Sequence, residues 1–108
     1  MLTPLTNFQE QVTNAKGVVV LKLFATWCGP CKMLAPVMEH ILEANPNLPI
    51  FELNVDTDQA LVSKLGVSSI PVVIFFKDGA EVNRLVGLQL QAKYQELINS
   101  LVETSPKD

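Results

Sequence analysis

Three features of this 108-residue sequence predict an α/β fold, a central mixed β-sheet flanked by helices on both faces. Apolar runs of strand length alternate with amphipathic stretches of helical period through the first part of the chain, and such alternation requires parallel strands joined by helical crossovers. Lys77-Asp78-Gly79 lies between the last two runs and is a hairpin signal, which adds an antiparallel pair. Residues 18–25 are apolar on both alternating sides apart from Lys22, the pattern of a central strand covered on both faces.

The elements follow in chain order. Thr6 and Gln9 resemble a capping box, and Phe8, Val12 and Ala15 recur at helical spacing up to Gly17, so a short first helix is expected. The strand at 18–25 comes next. Leu34, Val37, Met38, Ile41 and Leu42 form one apolar stripe of an amphipathic helix, expected to kink at Pro36 because proline removes an internal hydrogen bond and crowds the preceding turn. Two prolines and two asparagines at 45–49 end it and lead into a second strand at 50–55. Asp56 or Asp58 can cap a short helix holding Leu61 and Leu65 and closed by Gly66. Strands at 72–76 and 81–86 flank the hairpin turn, and Leu90, Tyr94, Leu97, Ile98 and Leu101 mark a last amphipathic helix. The expected order is helix, strand, helix, strand, helix, strand, strand, helix.

Length and composition point to one domain over residues 1–108, with a polar tail at 104–108. An apolar fraction of 48% excludes intrinsic disorder. A net charge of −3 with a single arginine argues against a nucleic-acid groove, which needs a basic stripe. The eight-residue apolar run at 18–25 contains a lysine and is too short to cross a bilayer, so no membrane partner is expected. The first cation is Lys16, which fits no secretory leader, and the chain reads as cytoplasmic unless a presequence has been removed. In a reducing compartment two close cysteines are catalytic or metal-binding more often than structural.

Those cysteines lie in Trp27-Cys28-Gly29-Pro30-Cys31-Lys32, where a buried strand gives way to a helix. Unpaired N–H groups and the positive end of the helix dipole favour thiolate there, and thiolate is the nucleophile. Cys28 is the expected attacking residue. Cys31, one turn inward, is the expected resolving residue, which attacks the mixed disulfide and releases reduced product. Zinc is the rival for the pair, but a structural site wants four ligands and His40, two turns down the helix, reads as a solvated residue. No metal or bound cofactor is expected.

The hexapeptide at 27–32 resembles the active-site motif of the thioredoxins unchanged, and the similarity extends along nearly the whole chain. Pro36, Asp56, Ile70-Pro71, Lys77-Asp78-Gly79 and Val86-Gly87 occupy matching places. The resemblance implies a thioredoxin fold, a monomer, and a general protein disulfide reductase that is itself re-reduced by a thioredoxin reductase or an equivalent electron donor. It implies a cis bond at Ile70-Pro71 lying against the cysteines, which proline makes tolerable at about 0.5–1 kcal/mol. It also implies that the backbone at Ile70 pairs with an extended segment of a disulfide-containing protein substrate. Trp27, Gly29, Pro30, Ile70, Pro71, Gly87 and Leu88 would form the docking face, although core filling for Trp27 and a plain turn for Gly87 remain open.

One departure stands out. Thioredoxins usually hold a buried aspartate six residues before the first active-site cysteine, paired with a lysine on the adjacent strand. Here those positions are Lys22 and Glu52, so the polarity is inverted. Alternation puts Lys22 with Val20 and Phe24, and Glu52 with Ile50 and Asn54, so the two charges are expected to meet beneath the cysteines. A cation there would favour the Cys31 thiolate, leaving Glu52 as its proton acceptor. The rival for this pair is a lysine that snorkels to solvent beside a wet glutamate. A rival of another class, an interaction module without redox chemistry, is separated by an insulin-reduction assay.

Overall fold

A computed structural model describes residues 1–103, and the polar tail expected at 104–108 lies outside them. Five strands, β1 (Thr3–Pro4), β2 (Val18–Phe24), β3 (Ile50–Asn54), β4 (Val72–Lys77) and β5 (Ala80–Val86), form one sheet in the order β1-β3-β2-β4-β5. The parallel pairs are β1·β3 and β2·β3, whereas β2·β4 and β4·β5 are antiparallel. Helices α1 (Gly29–Ala44), α2 (Gln59–Lys64) and α3 (Gln91–Glu103) complete the architecture. None of the helices among the described residues is long and apolar enough to cross a membrane.

Period-two alternation in the central strands divides the core into two layers. Val18, Val20, Ile50, Val73 and Phe75 pack against Leu34, Met38 and Ile41 of α1 and Tyr94 and Ile98 of α3. Val19, Leu21, Leu23, Leu53, Val72, Ile74 and Phe76 face the other way, toward Val12 and the apolar side of α2. Helices therefore cover both faces, as expected. Asn45 ties α1 to α3 through reciprocal amide bonds with Gln95 of 2.7 and 3.1 Å.

Two local expectations are corrected. The first helix is a five-residue π-helix at Gln9–Thr13, and the expected Thr6–Gln9 box does not form. Instead Asn7 Oδ1 accepts the Glu10 N–H at 3.0 Å, and Gln11 Oε1 reaches back to the N–H groups of Thr6 and Asn7, each at 2.8 Å. The capping logic survives with different residues, because Asn7 is as good an N-terminal acceptor as Thr6 and Gln11 returns the bond. The second correction is β1, which was not expected. It is two residues long, and its proline is tolerated because the strand is an edge.

The turn signals behave as their chemistry dictates. Asp78 and Gly79 have φ of 52° and 87°, the two positive values that a tight hairpin turn needs. Asp58 rather than Asp56 caps α2, accepting the Leu61 N–H at 3.1 Å. Arg84 of β5 clamps the far end of α2, donating to the Leu65 carbonyl at 2.8 Å while holding Glu81 in a two-point ion pair. Those bonds hold the Glu81 carboxyl below the usual carboxylate range, against a smaller opposing effect of burial.

Candidate active site

At the C-terminal end of β2 the chain turns through Thr26 and Trp27 into α1, with Cys28 as the N-cap residue. Cys28 has an extended backbone (φ −94°, ψ 116°), and its sulfur accepts the Cys31 N–H at 3.2 Å. Pro30 falls in the first turn, where a missing N–H leaves no helical bond unmade. Cys28 and Cys31 form a disulfide with Cα atoms 5.2 Å apart. Both are buried, at 6% and 3% exposure, beside Ala25 and the half-buried Phe24, Val55 and Ile70. A helix start that supplies N–H groups to one sulfur and places the other within bonding reach can hold either a disulfide or a thiolate stabilised by the dipole.

Trp27 is 68% exposed, so it does not fill the core. Its indole N–H donates to Asp56 Oδ2 at 2.9 Å, which fixes the ring beside the cysteines. The side chain shares a shallow cavity of about 180 Å³ with Val55, Ser69 and Ile70. The Ile70-Pro71 bond is cis, and Ile70 packs on the cysteine cluster. The Pro71 carbonyl accepts the Gly87 N–H at 2.8 Å, so the segment after β5 is tied to the cis-proline loop. Gly87 has φ of 80°, a value that favours glycine.

Gly87 is held from behind by Tyr94. The fully buried Tyr94 hydroxyl accepts the Gln89 N–H at 3.2 Å and donates to the Gly87 carbonyl at 3.4 Å. Burial pushes this phenol above its ordinary value. Gly29, Pro30 and Lys32 are exposed around the helix start. Leu88 is exposed as well, but it lines a separate cavity with Met33, Val37 and Leu90 rather than the wall shared by Trp27 and Ile70.

Beneath the cysteines lie Lys22 and Glu52, directly opposite one another in the β2·β3 register. Lys22 Nζ is 3.4 Å from Glu52 Oε1 and 5.0 Å from the centre of the Phe24 ring. The lysine does not snorkel: its side chain is 5% exposed, against 29% for Glu52, and it is the one buried charged residue among those described. Both charges line a cavity of about 330 Å³ whose walls include Cys31 and Lys32. His40 is exposed on α1, away from the pair.

Sequence reasoning passed over three contributors. In sequence Asp56 reads as a cap and a point of resemblance; in the structure it is the partner of Trp27. Tyr94 reads as a member of an apolar stripe, and Met33, 62% exposed next to the site, lies outside every stripe. A polar atom on an otherwise apolar helix face was the available signal for Tyr94, since a buried hydroxyl requires a partner.

Comparison with known proteins adds an independent line. The thioredoxin family model matches residues 2–100. A thioredoxin of Chlamydia muridarum is 44% identical over 86% of this chain and 89% of its own length. A thioredoxin of Bacillus subtilis is 43% identical over 80% and 84%. Among solved structures, a point mutant of a thioredoxin from Halobacterium salinarum superimposes with a TM-score of 0.84 at 37% identity, covering 97% of this chain and 93% of that one.

Proposed function

The chain belongs to the thioredoxin family and is a thiol–disulfide oxidoreductase built on the Cys28–Cys31 pair, and from that premise we propose how its residues divide the work. In the reduced protein the Cys28 thiolate attacks one sulfur of a substrate disulfide. That bond breaks, a Cys28–substrate disulfide forms, and the departing thiolate takes a proton from water. Cys31, as thiolate, then attacks Cys28 Sγ; the Cys28–Cys31 disulfide closes and the second substrate thiol leaves. Two electrons pass from the dithiol to the substrate, and an external dithiol donor, a thioredoxin reductase or its equivalent, returns them.

The observation that carries this division is the N-cap geometry: the sulfur at the helix start, Cys28, receives the helix N–H, and Cys31 lies inward on the cavity wall. Trp27, Gly29, Pro30, Ile70, Pro71 and Gly87 form the docking face, with Leu88 at its margin and Lys32 next to Cys31 in the chain; Ile70 packs on the cysteine cluster, and Gly87 is tied to the Pro71 carbonyl. The substrates are disulfide-containing proteins engaged through an extended segment. The protein acts as a single domain and a monomer, carries electrons without a bound cofactor, and works in the cytoplasm.

The test is insulin reduction together with trapping. Cys28→Ser is expected to abolish reduction, and Cys31→Ser to accumulate a stable mixed disulfide with substrate, visible as a mass adduct on Cys28. Trapping by the Cys28→Ser variant instead would reverse the assignment.

A further inference from the structure

Arg84 is the single arginine of the chain, and it lies on β5, which among the described residues pairs with β4 alone. Opposite Ile74 in the register, it falls on the side of the sheet that carries α2. Its Nε and Nη2 donate to the two Glu81 carboxylate oxygens at 2.6 and 2.7 Å. The same fork reaches the end of α2, with Nη2 donating to the Leu65 carbonyl at 2.8 Å and Nη1 to the Gly66 carbonyl at 3.5 Å. A planar guanidinium does this with a fixed set of donors, whereas a lysine ammonium is one point on a flexible stem.

The end of α2 needs such a partner. The helix is six residues long, none of them fully buried, and it meets the core through the half-buried Leu61, Val62 and Leu65. A helix that short does not hold itself in water, and its last carbonyls have no partner inside it. Beyond it Gly66 turns the chain, and the Val67 N–H returns to the Val62 carbonyl at 3.2 Å. From Ser68 to Ile70 the backbone makes no hydrogen bond among the described residues. The next tie is the Pro71 carbonyl, which accepts the Gly87 N–H at 2.8 Å. Open backbone of this kind is what an added strand pairs with. Both its ends are fastened to one short stretch of chain, by Arg84 at Leu65 and Gly66 and by Gly87 at Pro71.

From this frame we infer that Arg84 is a positioning residue for substrate docking, setting the placement of the Ser68–Ile70 backbone from the edge strand. The inference rests on the reading that an extended substrate segment pairs with the backbone at Ile70. A loop already fixed in its binding conformation spares the ordering that otherwise opposes association, so affinity falls when the frame is loosened. The chemical step is left alone, because none of the Arg84 bonds reaches the cysteines or the start of α1.

The test follows the oxidation of the pre-reduced full chain, by acid quench and thiol count, in excess insulin or in excess hydroxyethyl disulfide, which has no peptide backbone to pair. Arg84→Met should raise the half-saturating insulin concentration about fivefold at an unchanged limiting rate, the order of effect of one hydrogen bond's worth of ordering. The rate with hydroxyethyl disulfide should stay as it is. Glu81→Ala, at an exposed carboxylate, frees the guanidinium from its anchor and should move the insulin value in the same direction. It carries the test if Arg84→Met does not fold. An unmoved half-saturation in the folded variants overturns the inference, and so does a loss of rate that hydroxyethyl disulfide shares equally, since that marks damage to the site and not to docking. The unaltered protein separates the two levels. If it shows no preference for insulin over hydroxyethyl disulfide, the docking reading fails and the inference with it, whereas a preference that survives in the variants removes only the role of Arg84.

Discussion

Replacing Tyr94 by Phe removes one oxygen atom and nothing else, and that atom links α3 to the loop that carries Gly87. The ring stays in place, so there is no cavity term of the kind that makes a buried aromatic-to-alanine change cost about 3–5 kcal/mol. What is lost is the acceptor for the Gln89 N–H at 3.2 Å and a longer contact to the Gly87 carbonyl at 3.4 Å. The expected loss of stability is about 1 kcal/mol, nearly all from the first bond. For a domain of this size that is a fall in Tm of about 5 °C. Urea titration should show a lower midpoint with an unchanged slope, and KM for a disulfide protein should rise while kcat holds, because the Gly87 carbonyl is no longer braced.

The pH dependence adds a second readout. Burial raises the Tyr94 phenol above its ordinary value of about 10, so as pH climbs past that value the unfolded chain loses this proton before the folded one does. The stabilisation linked to the neutral phenol is whole below that pH and is lost as pH rises toward the folded value. Phenylalanine has no proton to lose, so the gap between the two proteins should narrow in alkali. A gap that stays constant there, or equal midpoints at neutral pH, would refute the account of Tyr94 as a buried brace.

Two further outcomes are expected. Asp56→Ala frees the Trp27 indole, and because this is the single tryptophan of the chain its fluorescence reports the change directly; the emission should shift and insulin reduction should slow, with global stability lowered by no more than about 1 kcal/mol. Gly79→Ala forces a side chain onto φ of 87° and onto the Thr13 carbonyl, so it should destabilise by about 2 kcal/mol or more, whereas Gly66→Ala at φ of 69°, with open space around it, should cost only about 1 kcal/mol in a urea titration.

Residues whose role depends on near neighbours in sequence were legible without the fold. The hexapeptide at 27–32 carries both its strand-to-helix context and its cysteine spacing, and Asp78-Gly79 carries its own turn. The short strand β1 was not legible, because two exposed residues have no periodicity and owe their pairing to the edge of β3. The Thr6 cap lost to Asn7 because both are competent acceptors and the choice is made by where Gln11 can reach. Links of long sequence separation, such as Trp27 to Asp56 or Arg84 to the end of α2, join side chains that local pattern treats as ordinary surface.

Lys22 and Glu52 belong to an intermediate kind, and they show how far alternation alone can be carried. Each strand's period of two assigned its charge to a face, and neither assignment needed the partner strand. What alternation could not supply was the register, since a slip of one residue would have sent Glu52 to the opposite layer. Val20 opposite Ile50, and Leu23 opposite Leu53, each put apolar side chains into the same layer, and this register brings Lys22 level with Glu52. The apolar demand of the two layers thus places the buried Lys22 at the end of β2 nearest the cysteines, between the valines that pack under the body of α1 and the turn that starts the helix. A lysine two residues earlier would lie at Val20, in the midst of the α1 and α3 side chains and away from Cys31. The position of the charge along the strand, more than its presence in the core, is what brings it to the cavity that Cys31 also lines.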